Sequence, residues 1–106
     1  MNFKTYYLKE SKKPTCKTDS NGDKHWILNG KFHREDGPAI IYSNGDKYWW
    51  LNGKLHRKDG PAVERVDGWK EWYLNGKQFS EQDYRRELIR RGIIKDPSLE
   101  DIMDAI

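Results

Sequence analysis

The sequence predicts a mainly β protein with an α tail: an antiparallel meander of 23-residue β-hairpin repeats, capped by two short C-terminal helices. Three observations carry this expectation. Leu-Asn-Gly recurs at 28–30, 51–53 and 74–76, with Trp at 26, 49 and 72 and Lys at 31, 54 and 77 in the same register. A second turn signal, Asn-Gly or Asp-Gly, falls at 21–22, 44–45 and 67–68, and Asp-Gly-Pro-Ala appears at 36–39 and 59–62. After Phe79 the period stops and helical signals begin. A fixed period of this length marks a stacked repeat architecture.

Each repeat spells two short strands and two turns. Asn-Gly favours a two-residue type I′ hairpin, in which both central residues take positive φ. Asp-Gly-Pro marks a wider turn, because Pro cannot donate to a ladder. Between the turns, 46–51 and 38–43 have strand composition. The N-terminus reads as a degenerate copy: Thr5-Tyr6-Tyr7-Leu8-Lys9 matches the Trp-x-Leu-Asn strand in outline, and Pro14 stands one residue out of register with Pro38 and Pro61. Terminal repeats are often atypical. The chain thus divides into a repeat sheet, 1–79, with clear copies in 20–79 and a degenerate copy in 1–19, and a helical tail, 80–106.

In the tail, Ser80 with Asp83 resembles a capping box, and Tyr84 and Leu88 at i,i+4 spacing lead to Gly92, a natural stop. Pro97-Ser98 with Asp101 opens a second helix, whose Leu99, Ile102, Met103 and Ile106 form one apolar stripe. That stripe is expected to pack on the chain's own sheet, or else to form the seam with a partner or a second copy in a homodimer, since so short a helix is not stable alone.

Composition narrows the function classes. Of 106 residues, 35% are hydrophobic and 35% charged, but five Trp, six Tyr and three Phe argue against disorder and allow a thin sheet to bury enough area. The net charge of +3 is spread out: residues 1–20 carry five bases against two acids, 21–79 ten against eight, and 80–106 five against seven. Nucleic-acid modules concentrate basic residues on one face, so nucleic acid is not the expected partner. The alternative keeps nucleic acid or another anionic ligand on the Lys-rich start, Arg34, Arg57 and exposed rings. Cys16 is the lone cysteine. With no secretory pattern and no 18-residue apolar run, the expectation is a protein without a membrane span in a reducing cytoplasm.

Strand alternation separates two faces. One carries Trp26 and Leu28, Trp49 and Leu51, Trp72 and Leu74, the same in all copies, and is assigned to packing. The other carries His25 and Ile27, Tyr48 and Trp50, Glu71 and Tyr73; it varies, and is assigned to contact with a partner. The expected partner-binding residues are Tyr48, Trp50, Tyr73, His25, Arg34 and Arg57. His33 and His56 lie opposite Trp26 and Trp49 across the hairpin, where the third copy has Phe79, which favours ring packing, with the imidazole bonded to the following Asp turn. Two histidines without a further ligand are thin for zinc. Asp36 and Asp59 precede Gly-Pro, a position whose side chain bonds turn amides. No phosphate loop, nucleophile with a base, or metal cluster is legible, so the expectation is a non-enzymatic protein with no catalytic residues, cofactor or metal.

The string Lys-Tyr-Trp-Trp-Leu-Asn-Gly-Lys-Leu-His-Arg-Lys-Asp-Gly-Pro-Ala-Val-Glu at 47–64 is similar to a hydrophilic repeat common in small proteins of tailed phages and giant viruses. It also resembles a variant of the MORN repeat, which carries Tyr/Trp, Asn-Gly-Lys and His-Gly at a close period; the His-Gly step reads His-Arg here. The resemblance covers residues 20–79. It implies a hairpin stack serving as a protein- or lipid-binding platform, with a MORN-variant family acting as bacterial antitoxins. The phage association implies an accessory protein in the bacterial host cytoplasm that binds and inhibits a host protein, including one of a defence system. A virion structural component is the further alternative.

Overall fold

A computed structural model describes the chain from residue 13 to residue 96. The Thr5–Lys9 segment and the second helix, with its stripe Leu99, Ile102, Met103 and Ile106, lie outside the described residues. Within them the protein is a mainly antiparallel β meander closed by one helix.

The elements are β1 (Thr15–Thr18), β2 (Lys24–Leu28), β3 (Lys31–Phe32), β4 (Ile40–Ile41), β5 (Lys47–Tyr48), β6 (Trp50–Leu51), β7 (Lys54–Leu55), β8 (Val63–Glu64), β9 (Lys70–Leu74), β10 (Lys77–Phe79) and α1 (Glu81–Arg90). The main sheet runs β1-β2-β4-β5-β8-β9-β10. The first two Asn-Gly hairpins leave this path: β3 pairs with the second half of β2, and β6 pairs with β7, whereas the third, β9–β10, ends it. Each long strand therefore serves two ladders. Its first half pairs with β4, with β8 or with both, and its second half belongs to its own hairpin, while β1 runs along β2 as far as Ile27.

The expected strands are shortened at both ends. Residues 38–43 reduce to Ile40–Ile41, because Pro38 has no N–H to give and Tyr42 already belongs to the next turn. The stretch 46–51 breaks at Trp49, where the ladder partner changes. The described part of the N-terminal segment forms β1: Lys17 and Thr18 pair with His25 and Lys24 as Ile40 and Ile41 pair with Tyr48 and Lys47.

Two turn chemistries alternate. At the Leu-Asn-Gly sites both central residues are left-handed: Asn29, Asn52 and Asn75 at φ 53°, 51° and 50°, with Gly30, Gly53 and Gly76 at 76°, 77° and 83°. This is the predicted type I′ geometry. The second set is different. Only the Gly is left-handed, and a bond from Gly45 N–H to the Tyr42 carbonyl (2.8 Å) lies inside one from Tyr42 N–H to Asp46 (2.9 Å). That is a three-residue loop with a bulged Gly, repeated at 19–23 and 65–69.

Neighbouring repeats are joined by side chains at fixed positions. Asp23 Oδ1 accepts the Ser43 N–H at 2.7 Å, and Asp46 Oδ1 the Val66 N–H at 2.8 Å. At the hairpin end, His33 Nδ1 accepts the Asn52 N–H at 3.0 Å and His56 Nδ1 the Asn75 N–H at 2.9 Å. The histidines are thus structural, but their partner is the next repeat's Asn-Gly turn rather than the following Asp. Asp36 and Asp59 also depart from expectation: each accepts the Nε–H of its neighbouring Arg at 3.0 Å.

The Trp/Leu face is covered by two different devices. In the first two repeats an arginine lies over the ring, Arg34 Cζ at 3.9 Å from the Trp26 centroid and Arg57 Cζ at 3.8 Å from that of Trp49. Each guanidinium also bonds the carbonyl of Pro38 or Pro61. Its other side rests on glycine: a Cβ on Gly60 would lie 2.9 Å from Arg57 Cζ, and one on Gly37 3.0 Å from Arg34 Cζ. In the third repeat Ser80 stands at the Arg position and caps α1, accepting the Asp83 N–H at 3.1 Å. The helix then replaces the lid. Tyr84 and Leu88 pack with Leu74, against Trp72, Phe79 and Ile94. Leu74 is 1% exposed, a burial that contributes about 1.5–3 kcal/mol. The Tyr84 hydroxyl donates to the Arg57 carbonyl and accepts the Gly60 N–H, tying the helix back to the second repeat.

Candidate protein-binding face

Residues that oppose one another across a sheet share a face. The register sets His25, Ile40, Tyr48, Val63 and Glu71 in one row across five strands. Ile40 and Val63 are buried in that row, and Tyr48 stands half-buried between them. The Tyr42 ring meets Tyr48 edge-on at 5.3 Å.

Beside this row runs a ladder of rings. His25 lies 5.8 Å from Phe32, and Phe32 lies 5.5 Å from Trp50. Ile27 is the cross-strand partner of Phe32, and Leu55 that of Trp50. Ile27, Phe32, Trp50, Lys31 and the turn glycines Gly30 and Gly53 line a shallow depression of about 400 Å³. Tyr73 continues the series in the third repeat, opposite Gln78. Its hydroxyl donates to Glu71 at 2.9 Å. Burial, then that bond to the Glu71 carboxylate, push the Tyr73 phenol above its ordinary pKa.

Trp50 has a further feature. Among the described residues, its Nε1 is the buried side-chain donor with no hydrogen-bond partner. An unmet buried donor costs about 1–3 kcal/mol. The equivalent residue one repeat earlier, Ile27, fills the same position without a polar atom.

The structure therefore brings His25, Tyr48, Trp50 and Tyr73 to one face. It does not bring Arg34 and Arg57 there, because their guanidiniums cover Trp26 and Trp49 on the opposite face. That face carries a cleft of about 550 Å³ between the two arginine lids, lined among others by Asp36, Trp49, His56 and Asp59. Its arginines are paired internally, Arg34 with Asp36 and Arg57 with Asp59 and Glu64. His56 in this cleft is held below its ordinary pKa by burial first, then by Lys58 and Arg91. Among the described residues no Ser, Thr or Cys lines the cleft for it to activate.

Asp19, Asp23 and His25 bring ligand atoms within 4.8 Å of one another. Two of those side chains already build loops: Asp19 Oδ1 accepts the Asn21 and Asp23 N–H groups, and Asp23 Oδ1 that of Ser43. The cluster is explained by the turn it closes.

Phe32 and Leu55 were not singled out from the sequence as members of the face. Counting outward from each Asn-Gly turn would have found them, since it sets Ile27 against Phe32 and Trp50 against Leu55. Among the described residues no helix is long and apolar enough to cross a membrane. Comparison with protein-family models, curated proteins and solved structures finds no match for the chain.

Proposed function

We propose that the protein is a non-enzymatic binding module that holds another protein against the face bearing His25, Tyr48, Trp50 and Tyr73. The observation that carries this reading is the half-buried ring ladder ending at Trp50, with an unmet indole N–H where a repeat neighbour uses Ile. Aromatic anchors of this kind dominate contact energies at protein interfaces. The similarity to MORN-variant repeats and to small phage proteins supports a narrower version: a MORN-like accessory protein of a tailed phage that acts in the bacterial cytoplasm and inhibits a host protein, in the manner of an antitoxin or counter-defence factor.

The internal pairing of Arg34 and Arg57 weighs against an anionic ligand held by those two side chains. The test is capture from bacterial lysate with the parent chain, Trp50→Ala and Arg57→Ala, all well below their unfolding temperatures. The proposal expects Trp50→Ala to lose the captured protein and Arg57→Ala to keep it. Equal capture by all three removes the face from consideration, and single-stranded nucleic acid bound in a steeply salt-dependent manner would replace the reading.

A further inference from the structure

The two ends of the repeat sheet are complementary to one another, and we infer that a second copy of this chain docks head to tail, its β1 completing the open edge of β9. Inside the sheet, each long strand is flanked on both sides by a short strand. β5 lies between β4 and β8, with Tyr48 opposite Ile40 on one side and Val63 on the other. β2 lies likewise between β1 and β4. The first half of β9 breaks the rule: Lys70 and Glu71 pair with β8 alone among the described residues. One repeat on, the positions that would supply the missing strand are Arg86 and Glu87, and they belong to α1.

β1 is a strand of the missing type. Lys17 and Thr18 hold the register of Ile40–Ile41 and Val63–Glu64, and all four residues of β1 are exposed. Among the described residues β1 pairs only with β2. Continuing the internal register across two copies sets Lys17 of one opposite Glu71 of the other, and Thr18 opposite Lys70.

The substitutions fit that junction. The position of Glu71 holds His25 and Tyr48 in the other copies, and the position of Lys17 holds Ile40 and Val63. An acid therefore stands only at the end that lacks a strand, and a cation only on the strand at the other end. Opposite charges directly across a ladder attract, and like charges repel. Trp69, 57% exposed, replaces the Asp23 and Asp46 that staple the next repeat's loop. At a junction it meets the Asp19–Asp23 loop of the incoming copy and contributes apolar area instead of a hydrogen bond. An unpaired edge is a ready template for such addition, and a heterologous contact of this kind extends into short chains of subunits.

The test is sedimentation velocity of the full chain over a wide concentration range, with circular dichroism to confirm folding. The parent is expected to associate reversibly. Lys17→Glu and Glu71→Lys each oppose like charges and should weaken self-association by about tenfold or more, the effect of about 1.4 kcal/mol. Mixed together, the two variants oppose unlike charges at both kinds of mixed junction and should recover association in which the two subunits alternate. A parent monomeric at every concentration overturns the inference, as does association that neither charge reversal weakens or a mixture that associates no better than either variant alone.

Discussion

Replacing Arg57 by Ala removes the lid over Trp49, and the structure allows the loss to be worked out. The guanidinium lies 3.8 Å from the indole centroid, a contact worth about 1 kcal/mol at a partly covered site. Its bond to the Pro61 carbonyl, 3.0 Å, adds about 1–2 kcal/mol, because the donor is charged. The pair with Asp59 adds almost nothing, since the Asp59 side chain is 86% exposed and screened by water. The sum is about 2–3 kcal/mol, which in a domain of this size lowers the unfolding midpoint by roughly 10 °C or more. Arg57→Lys keeps the charge but cannot lie flat on the ring while bonding both Asp59 and Pro61, so it should lose about half as much. Urea and thermal denaturation followed by circular dichroism measure both. A change below about 0.5 kcal/mol for Arg57→Ala, the range of an ordinary surface substitution, would refute the account of how this face is covered.

Tyr84→Phe strips the two hydrogen bonds that tie α1 to the second repeat and should cost about 1–2 kcal/mol in urea unfolding. Asn52→Ala at φ 51° should cost about 1 kcal/mol, while Asn52→Gly stays close to the parent; thermal melts separate the two. His56 titrates below its ordinary pKa in the folded chain, so the unfolded chain takes the proton first. Its contribution is therefore present above about pH 6.5 and is lost as pH falls below that value, and stability against pH should lose this limb in His56→Gln. Glu87, bonded by Arg90 and Arg91, is held down to about 2, so its carboxyl resonance in an NMR titration should move far below the midpoint of an ordinary Glu.

Much of the fold was legible because the repeat aligns three copies and lets each be read against the others. The type I′ turns followed from Asn-Gly, the helix start from Ser80 and Asp83, and its inner side from Tyr84 and Leu88. The arginine lids were not legible. Arg34 and Arg57 are adjacent in sequence to the histidines and carry charge, so they read as surface groups. The Asn-Gly hairpin returns the chain to a Trp eight residues upstream, and a bond to the carbonyl of Pro38 or Pro61 in the following turn holds the guanidinium over the ring. The glycine that the first two copies share in the following turn was the available signal: Gly37 and Gly60 leave space in which the guanidinium lies, and a side chain there would collide with it. The candidate face divided in the same way. Alternation grouped Tyr48, Trp50 and Tyr73 with His25, but charge and exposure alone could not reveal that the arginines belong to the other side.

The third copy is where structure and function part from simple repetition. Asp becomes Trp69, His becomes Phe79 and Arg becomes Ser80, and each change falls on a residue that in earlier copies bonds the next repeat's backbone or covers its own Trp. The last two changes have a use within the chain: Phe79 joins the core under α1, and Ser80 starts the helix. Trp69 does not share in that core. Its ring is mostly exposed, and its indole N–H is spent on Glu71 at 2.8 Å, the same carboxylate that Tyr73 holds. Trp69, Glu71 and Tyr73 thus form one bonded group at the outer border of the sheet, fixed in place by neighbours within the chain. A residue that merely ended the stack would need no such anchoring. Orienting a large ring and an acid together beside an unpaired strand makes sense for a surface that meets a second strand, and Trp69→Ser in the sedimentation assay separates these roles. Weakened association with an unchanged melting temperature supports the junction, and unchanged association assigns Trp69 to the border alone.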